Sequence, residues 1–120
     1  MSSFKQSVPN DETAVLASLL KALKPFRELN STMPLQYVTA FLQVAVAEGR
    51  TVTEYAKILG TSQSLMTRHL ADIGVINRYH EAGYDLIETK TDLMDRRNKR
   101  SLLTAKGQRL VGEILGALKR

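Results

Sequence analysis

The sequence predicts a mainly α-helical domain with one small β-hairpin, and three features predict it. Residues 51–73 read as two short helices joined by a tight turn at Gly60, residues 84–103 read as a hairpin with a basic tip, and apolar stripes of helical period occupy both ends of the chain. At 120 residues one domain is expected, and that length buries enough surface to fold without disulfide or metal staples.

Residues 1–9 read as a frayed terminus. Asn10 is the expected N-cap of the first helix, with Asp11 and Glu12 at the positive end of its dipole. Val15, Leu16, Leu19, Leu20, Leu23 and Phe26 follow, which is more apolar surface than one edge of a small domain usually covers. The helix is therefore read as partly a subunit contact, the alternative being a purely internal core helix. Pro25 disfavours helical geometry at Lys24, so the helix is expected to end or kink there. After a polar connection over residues 27–33, Pro34 suits the first position of a second helix. Leu35, Val38, Phe41, Leu42, Ala45 and Val46 recur along that helix until Gly49 offers a stop, and it is apolar enough to be central.

Thr51 followed three residues later by Glu54 is a capping box, in which each side chain satisfies an orphan backbone N–H. The helix it starts carries Tyr55, Ala56 and Leu59 on one side and stops at Gly60, which accepts a left-handed backbone. Ser62 supplies the next N-cap. From there, at about 100° per residue, Met66, His69, Leu70 and Ile73 share one face while Ser64, Thr67, Arg68 and Ala71 share the opposite one. Small Ala56 suits the close crossing of two helices. An ordinary helical hairpin of a core fits this pattern. So does a helix-turn-helix, whose second helix enters the DNA major groove with its N-terminal residues foremost.

Residues 74–83, GVINRYHEAG, admit two readings: a continuation of the second helix past Gly74, or a loop carrying Arg78, Tyr79 and His80 beside DNA. His69 and His80 make no metal site, because no carboxylate or thiolate stands at ligand spacing to complete the set. His69, on the apolar face, is expected to be partly buried and hydrogen-bonded. Residues 84–90, YDLIETK, alternate enough for a strand, with residues 100–103 as its antiparallel partner and 91–99 as the tip. Four of the five residues 96–100 are basic. A cationic hairpin directly after a helix-turn-helix is the layout of a winged helix, although a solvated loop has the same composition. Arginine at such a tip can enter the minor groove, where narrow A·T-rich sequence deepens the negative potential.

Thr104 caps the last helix, where Leu110, Val111, Ile114, Leu115 and Leu118 form a stripe. Gly107, Gly112 and Gly116 each cost a helix about 1 kcal/mol relative to Ala, so another helix is expected to approach closely, most of all at the shared face of Gly112 and Gly116. A homodimer built from the terminal helices follows as an expectation.

Cysteine is absent, which excludes disulfides, thiolate zinc sites and thiol redox sensing. Apolar stretches are interrupted well short of the roughly 18 residues of a membrane span, and no basic-then-apolar leader is apparent, so an intracellular soluble protein is expected. The net charge of +5 is uneven: residues 1–60 hold 6 Lys/Arg against 5 Asp/Glu, and residues 61–120 hold 11 against 7. The excess lies with the second helix of the pair and the hairpin, where it favours polyanions through phosphate neutralisation. An enzyme is disfavoured, since there is no cysteine, no phosphate-cradling glycine loop, and no histidine arranged with a nucleophile and an orienting acid.

The run DRRNKRSLLTAKG, residues 95–107, resembles the wing and following helix of MarR-type winged-helix transcription factors, and the spacing of Asp95, Arg97, Leu103, Thr104 and Gly107 fits their pattern. Residues 33–70, MPLQYVTAFLQVAVAEGRTVTEYAKILGTSQSLMTRHL, are similar to the family's second helix and helix-turn-helix. The chain departs from the family in a longer segment between recognition helix and wing, and in a shorter C-terminal helical region. The resemblance implies a homodimer on palindromic operators, with Ser62, Gln63, Ser64, Thr67 and Arg68 addressing the major groove. It also implies that Arg97 probes the minor groove while Asp95 holds the wing arginine in place; the basic tip itself offers Arg96 and Lys99 as further DNA-binding cations.

The resulting expectation is one winged helix-turn-helix domain over 1–120, with terminal dimerisation helices at about 10–29 and 105–120 and a DNA-binding part at about 33–104. Its expected function is that of a cytoplasmic, sequence-specific double-stranded DNA-binding regulator, a repressor, with no cofactor and no membrane partner. The alternative is a winged-helix architectural or protein-interaction module without sequence-specific regulation. The sequence does not specify an effector.

Overall fold

The computed structural model describes residues 5–119. Residues 1–4 of the segment read as a frayed terminus lie outside the described residues, as does position 120 of the terminal segment 105–120. Five helices and one hairpin follow in order: α1 (Asn10–Leu29), α2 (Leu35–Val46), α3 (Val52–Leu59), α4 (Gln63–Asp72), β1 (Ile87–Thr91), β2 (Lys99–Leu103) and α5 (Ala105–Leu118).

α1 starts at Asn10, one residue earlier than expected: Pro9 is the N-cap, without a side-chain cap bond, and Asn10 is already helical. The helix also runs through Pro25 to Leu29 instead of ending near Lys24. A proline inside a helix costs about 3 kcal/mol through its missing N–H and ring clash, whereas full burial of a Phe returns about 1.5–3 kcal/mol. Here Phe26 is buried, edge-on to Phe41 at 5.7 Å, and Leu29 packs against the same core, so tertiary burial carries the last turn past Pro25. Pro34 likewise precedes α2 as its N-cap and is not its first residue, and α2 ends at Val46, short of Gly49.

The core lies where α2 crosses the other elements. Phe41, Val44, Tyr55, Met66, Ile73, Leu86 and Ile87 are fully buried, and Ala22, Phe26, Leu110 and Ile114 continue the core between α1 and α5. Ala56 is buried at the close crossing of α3 and α4, as its size predicts. β1 and β2 pair antiparallel in the register Ile87 with Leu103 through Thr91 with Lys99.

Of the two readings of residues 74–83 the structure has the loop, and the start of the expected strand changes. The segment 74–83 does not prolong α4: Gly74 bridges to Ile87 in parallel, and Ile76 bridges to Ala82, closing a small loop. The strand begins at Ile87, not at Tyr84, because Asp85 adopts φ +58, which breaks the extended backbone. The Asp85 carbonyl accepts the Thr104 hydroxyl at 2.6 Å and the Leu86 carbonyl accepts the Thr104 N–H at 3.1 Å, so this bend is fastened to the start of α5.

Within one chain the close approach in α5 is at Gly107, to the Leu86 backbone, and no helix of the same chain approaches Gly112 or Gly116. A Cβ on Gly107 would lie 2.1 Å from the Leu86 carbonyl oxygen, whereas one on Gly112 or Gly116 would meet nothing within 4 Å. Within the chain, the face of Gly112 and Gly116 is open. So is the first half of α1, where Val15 is 68% and Leu20 63% exposed and Leu16 and Leu19 are exposed as well.

Candidate nucleic-acid interface

The helix pair within residues 51–73 is built as its caps dictate. The Thr51 hydroxyl accepts the Glu54 N–H at 3.3 Å while the Glu54 carboxylate accepts the Thr51 N–H at 3.1 Å. The bond from the Thr51 N–H, above all, holds the Glu54 carboxyl below its usual range. Tyr55, fully buried, donates its hydroxyl to the Ala47 carbonyl at 2.6 Å and accepts the Arg50 N–H at 3.3 Å, which fixes α3 against the end of α2. Burial pushes the Tyr55 hydroxyl above its ordinary pKa. Gly60 takes the left-handed backbone at φ +67, and the Ser62 hydroxyl accepts the Leu65 N–H at 3.1 Å to start α4.

α4 is then divided lengthwise. Met66, Leu70 and Asp72 are buried, together with Ile73 just past its end, while Gln63, Ser64, Thr67 and Arg68 are exposed. Ser62 is exposed beside them at the cap, so the five residues Ser62, Gln63, Ser64, Thr67 and Arg68 form one polar, cationic front. The Thr67 hydroxyl donates to the Gln63 carbonyl at 2.8 Å, within the helix. His69 is half-buried with its ring edge-on to Tyr37 at 5.7 Å.

The wing carries the remaining candidates. Asp95 accepts the Arg97 N–H at 3.1 Å and takes its guanidinium through Nε at 3.2 Å and Nη2 at 3.4 Å, which fixes the arginine relative to the turn although its side chain is 91% exposed. Arg96 and Lys99 are also exposed. Arg100, counted among the basic residues of the tip, is instead turned into the base of the wing. It donates through Nε and Nη2 to Asp92 at 3.1 and 2.9 Å, and through Nη1 to the Gly49 carbonyl at 2.7 Å. The Gly49 N–H donates to the Ser101 carbonyl at 2.8 Å and the Ser101 N–H to the Arg50 carbonyl at 3.1 Å, so the wing and the loop before α3 are one frame. α4 and the wing therefore keep a fixed relation.

A second brace was not legible in the sequence. Asp72, buried at the end of α4, accepts the Tyr37 hydroxyl at 2.6 Å and lies 3.4 Å from Nε of Arg78. Burial and then the Asp72 carboxylate push the Tyr37 hydroxyl up to about 12. Arg78 is thereby turned onto α4, with its guanidinium 5.0 Å from the Tyr79 ring. The residues of the brace are separated by 35 positions in one case, so no local pattern announces them. Asn30 adds a bond from Nδ2 to the Tyr84 hydroxyl at 2.8 Å, and the Tyr84 ring lies edge-on to Tyr37 at 6.4 Å.

Among the described residues no group of three His, Asp or Glu is placed to hold a metal ion, and no helix is long and apolar enough to cross a membrane. Five helices with a two-stranded hairpin after the second helix of a helix-turn-helix define a winged helix-turn-helix fold. Its particular arrangement is that of the MarR-type transcriptional regulators. No protein-family model and no curated protein sequence matches the chain. Solved structures do. A MarR-like transcriptional regulator of Thermotoga maritima, tm0816, is 26% identical over 95% of this chain and 77% of its own, with a TM-score of 0.63. Rv1404 of Mycobacterium tuberculosis is 14% identical over 99% and 79%, with a TM-score of 0.69. The transcriptional repressor CouR, solved on a 23-mer DNA duplex, is 21% identical over 89% and 68%, with a TM-score of 0.61.

Proposed function

We propose that this chain is a sequence-specific double-stranded DNA-binding transcriptional regulator that acts as a repressor. In this reading a homodimer binds a palindromic operator, with α4 of each subunit in the major groove and each wing in the minor groove. The observation that carries the reading is the lengthwise division of α4. Its buried side is apolar but for Asp72, and its exposed side gathers one arginine with four short or amide side chains and the exposed Leu65 toward the N-terminal end, the end that enters a major groove in helix-turn-helix proteins. Arg68 takes the role of base reader, since arginine pairs bidentately with guanine, and Ser62, Gln63, Ser64 and Thr67 lie close enough to share base and phosphate contacts. Arg97 takes the minor groove, pre-oriented by Asp95, while Arg96 and Lys99 neutralise phosphates. That CouR is solved on a DNA duplex and a MepR variant on an oligodeoxyribonucleotide supports the same partner for this fold.

The dimer is proposed on the exposed apolar residues of the first half of α1 and on Leu115 and Leu118 of α5, surface that water disfavours and a symmetric partner can cover. The role is binding and not catalysis, and it places the protein in the cytoplasm with the DNA. Selection of duplexes from a random pool by the purified protein tests the reading. An inverted repeat is expected, and a pool that stays random after repeated rounds contradicts it.

A further inference from the structure

We infer that the wing tip carries an apolar wedge, Leu93 and Met94, which enters the minor groove beside Arg97 and partly unstacks one base step. The inference rests on the DNA-binding reading above and adds to it a deformation of the duplex that the cations alone do not produce. Leu93 is 95% and Met94 94% exposed, so neither side chain contributes to the core, and the pair lies in the bend of the loop that joins β1 to β2. The turn beneath them is fixed. Asp92 accepts the Met94 N–H at 2.9 Å, the Asp92 N–H donates to the Asn98 carbonyl at 2.9 Å, and Arg100 ties the Asp92 carboxylate to the base of the wing and thence to Gly49.

Charge names the occupant. Both acids of the tip, Asp92 and Asp95, are engaged by Arg100 and Arg97, and Arg96 and Lys99 add two exposed cations beside the apolar pair. An apolar point rimmed by cations fits a groove whose rim is phosphate and whose floor is the apolar faces of stacked bases. Leu and Met are among the side chains that minor-groove proteins insert between base steps, bending the duplex toward the major groove. Flexible pyrimidine–purine steps admit such insertion most readily. An anionic membrane surface is the other polyanion that a cationic, apolar tip fits. The exposed polar front of α4, which has no use at a membrane, favours the duplex.

The test uses the whole protein and a duplex recovered from a random pool, with 2-aminopurine placed in turn at each TA or CA step. Its fluorescence rises when the base is unstacked. Titration to saturation keeps the comparison independent of affinity. The wild type is expected to raise fluorescence at one step of each half-site. A Leu93→Ser, Met94→Ser double variant should bind without that rise, and the Leu93→Met, Met94→Leu swap should restore it. Far-UV circular dichroism checks that each variant keeps its helices. Binding with no rise at any step, or an equal rise with the serine variant, overturns the wedge and leaves the DNA-binding reading standing. A wild type that binds no duplex ends both. Sedimentation with phosphatidylserine-containing vesicles that depends on Leu93 and Met94, with fluorescence indifferent to them, reassigns the pair to a membrane and likewise overturns the inference.

Discussion

Arg100 holds Asp92 through two nitrogens, Nε at 3.1 Å and Nη2 at 2.9 Å, and this pair joins the start of the wing loop to the strand that leaves it. The Met94 N–H first and Arg100 second hold the Asp92 carboxyl below its ordinary value of 3.8. A depressed carboxyl stabilises the folded wing above its unfolded pKa and loses that contribution as pH falls through the folded one. Amide protection over residues 92–98, taken relative to the intrinsic exchange rate at each pH, should therefore be constant above pH 3.8 and fall below it. In Arg100→Met the Asp92 titration, followed by carboxyl NMR, should move up toward 3.8 yet stay below it, because the Met94 N–H remains. An unmoved titration would separate the two residues in solution.

Tyr37→Phe should destabilise the fold by about 1–3 kcal/mol, read as a lower urea midpoint, since it leaves a buried acceptor of Asp72 with one partner fewer. The Tyr37 pKa is raised from 10.0 to about 12, so its contribution is present below pH 10 and fades as pH rises from there toward 12. In a spectrophotometric titration two of the four tyrosines, Tyr37 and Tyr55, should ionise late, and the Phe variant should lose the Tyr37 share of that late phase.

Leu16→Asp or Leu20→Asp should convert the protein to a monomer of 13.4 kDa at micromolar concentration, by light scattering, while leaving the helical signal of the fold intact. Each position is exposed within one chain, so a charge there costs the subunit little and a symmetric interface much. A wild type that is already monomeric would remove the dimer from the proposal.

The two wing arginines should differ. Arg97→Ala should weaken DNA binding more than Arg96→Ala, because Asp95 orients Arg97. Asp95→Ala should weaken it as well, despite making the wing more positive, since an unoriented arginine must order on binding. Tighter binding by Asp95→Ala would leave only a charged loop.

What the sequence made legible was local. Thr51 with Glu54, Ser62 and Thr104 announce their helix starts because each cap acts within three residues, and all three appear as bonds. The fork of Asp95 and Arg97 spans two residues and belongs to the same class. What stayed hidden depends on distant partners. Phe41 decides that α1 passes Pro25, Leu86 decides that α5 needs glycine at 107, and Asp72, itself bonded by the distant Tyr37, decides what Arg78 does. The bend at Asp85 is hidden for the same reason, since alternating residues predict a strand, whereas the Asp85 N–H donates to the Gly74 carbonyl and the Asp85 carbonyl accepts the Thr104 hydroxyl. The wing tip misled in composition alone: of its basic residues, Arg100 is structural.

The central claim is that the front of α4 reads sequence. Competition titration at one salt concentration, a recovered duplex against random duplex, tests it most directly. The wild type should favour its site by about 10³-fold or more, and two subunits neutralising about four phosphates each should give a log–log salt slope near −7. Arg68→Ala should cost about 1–3 kcal/mol on the recovered duplex and much less on random DNA. Equal affinity of the wild type for both duplexes would contradict the claim.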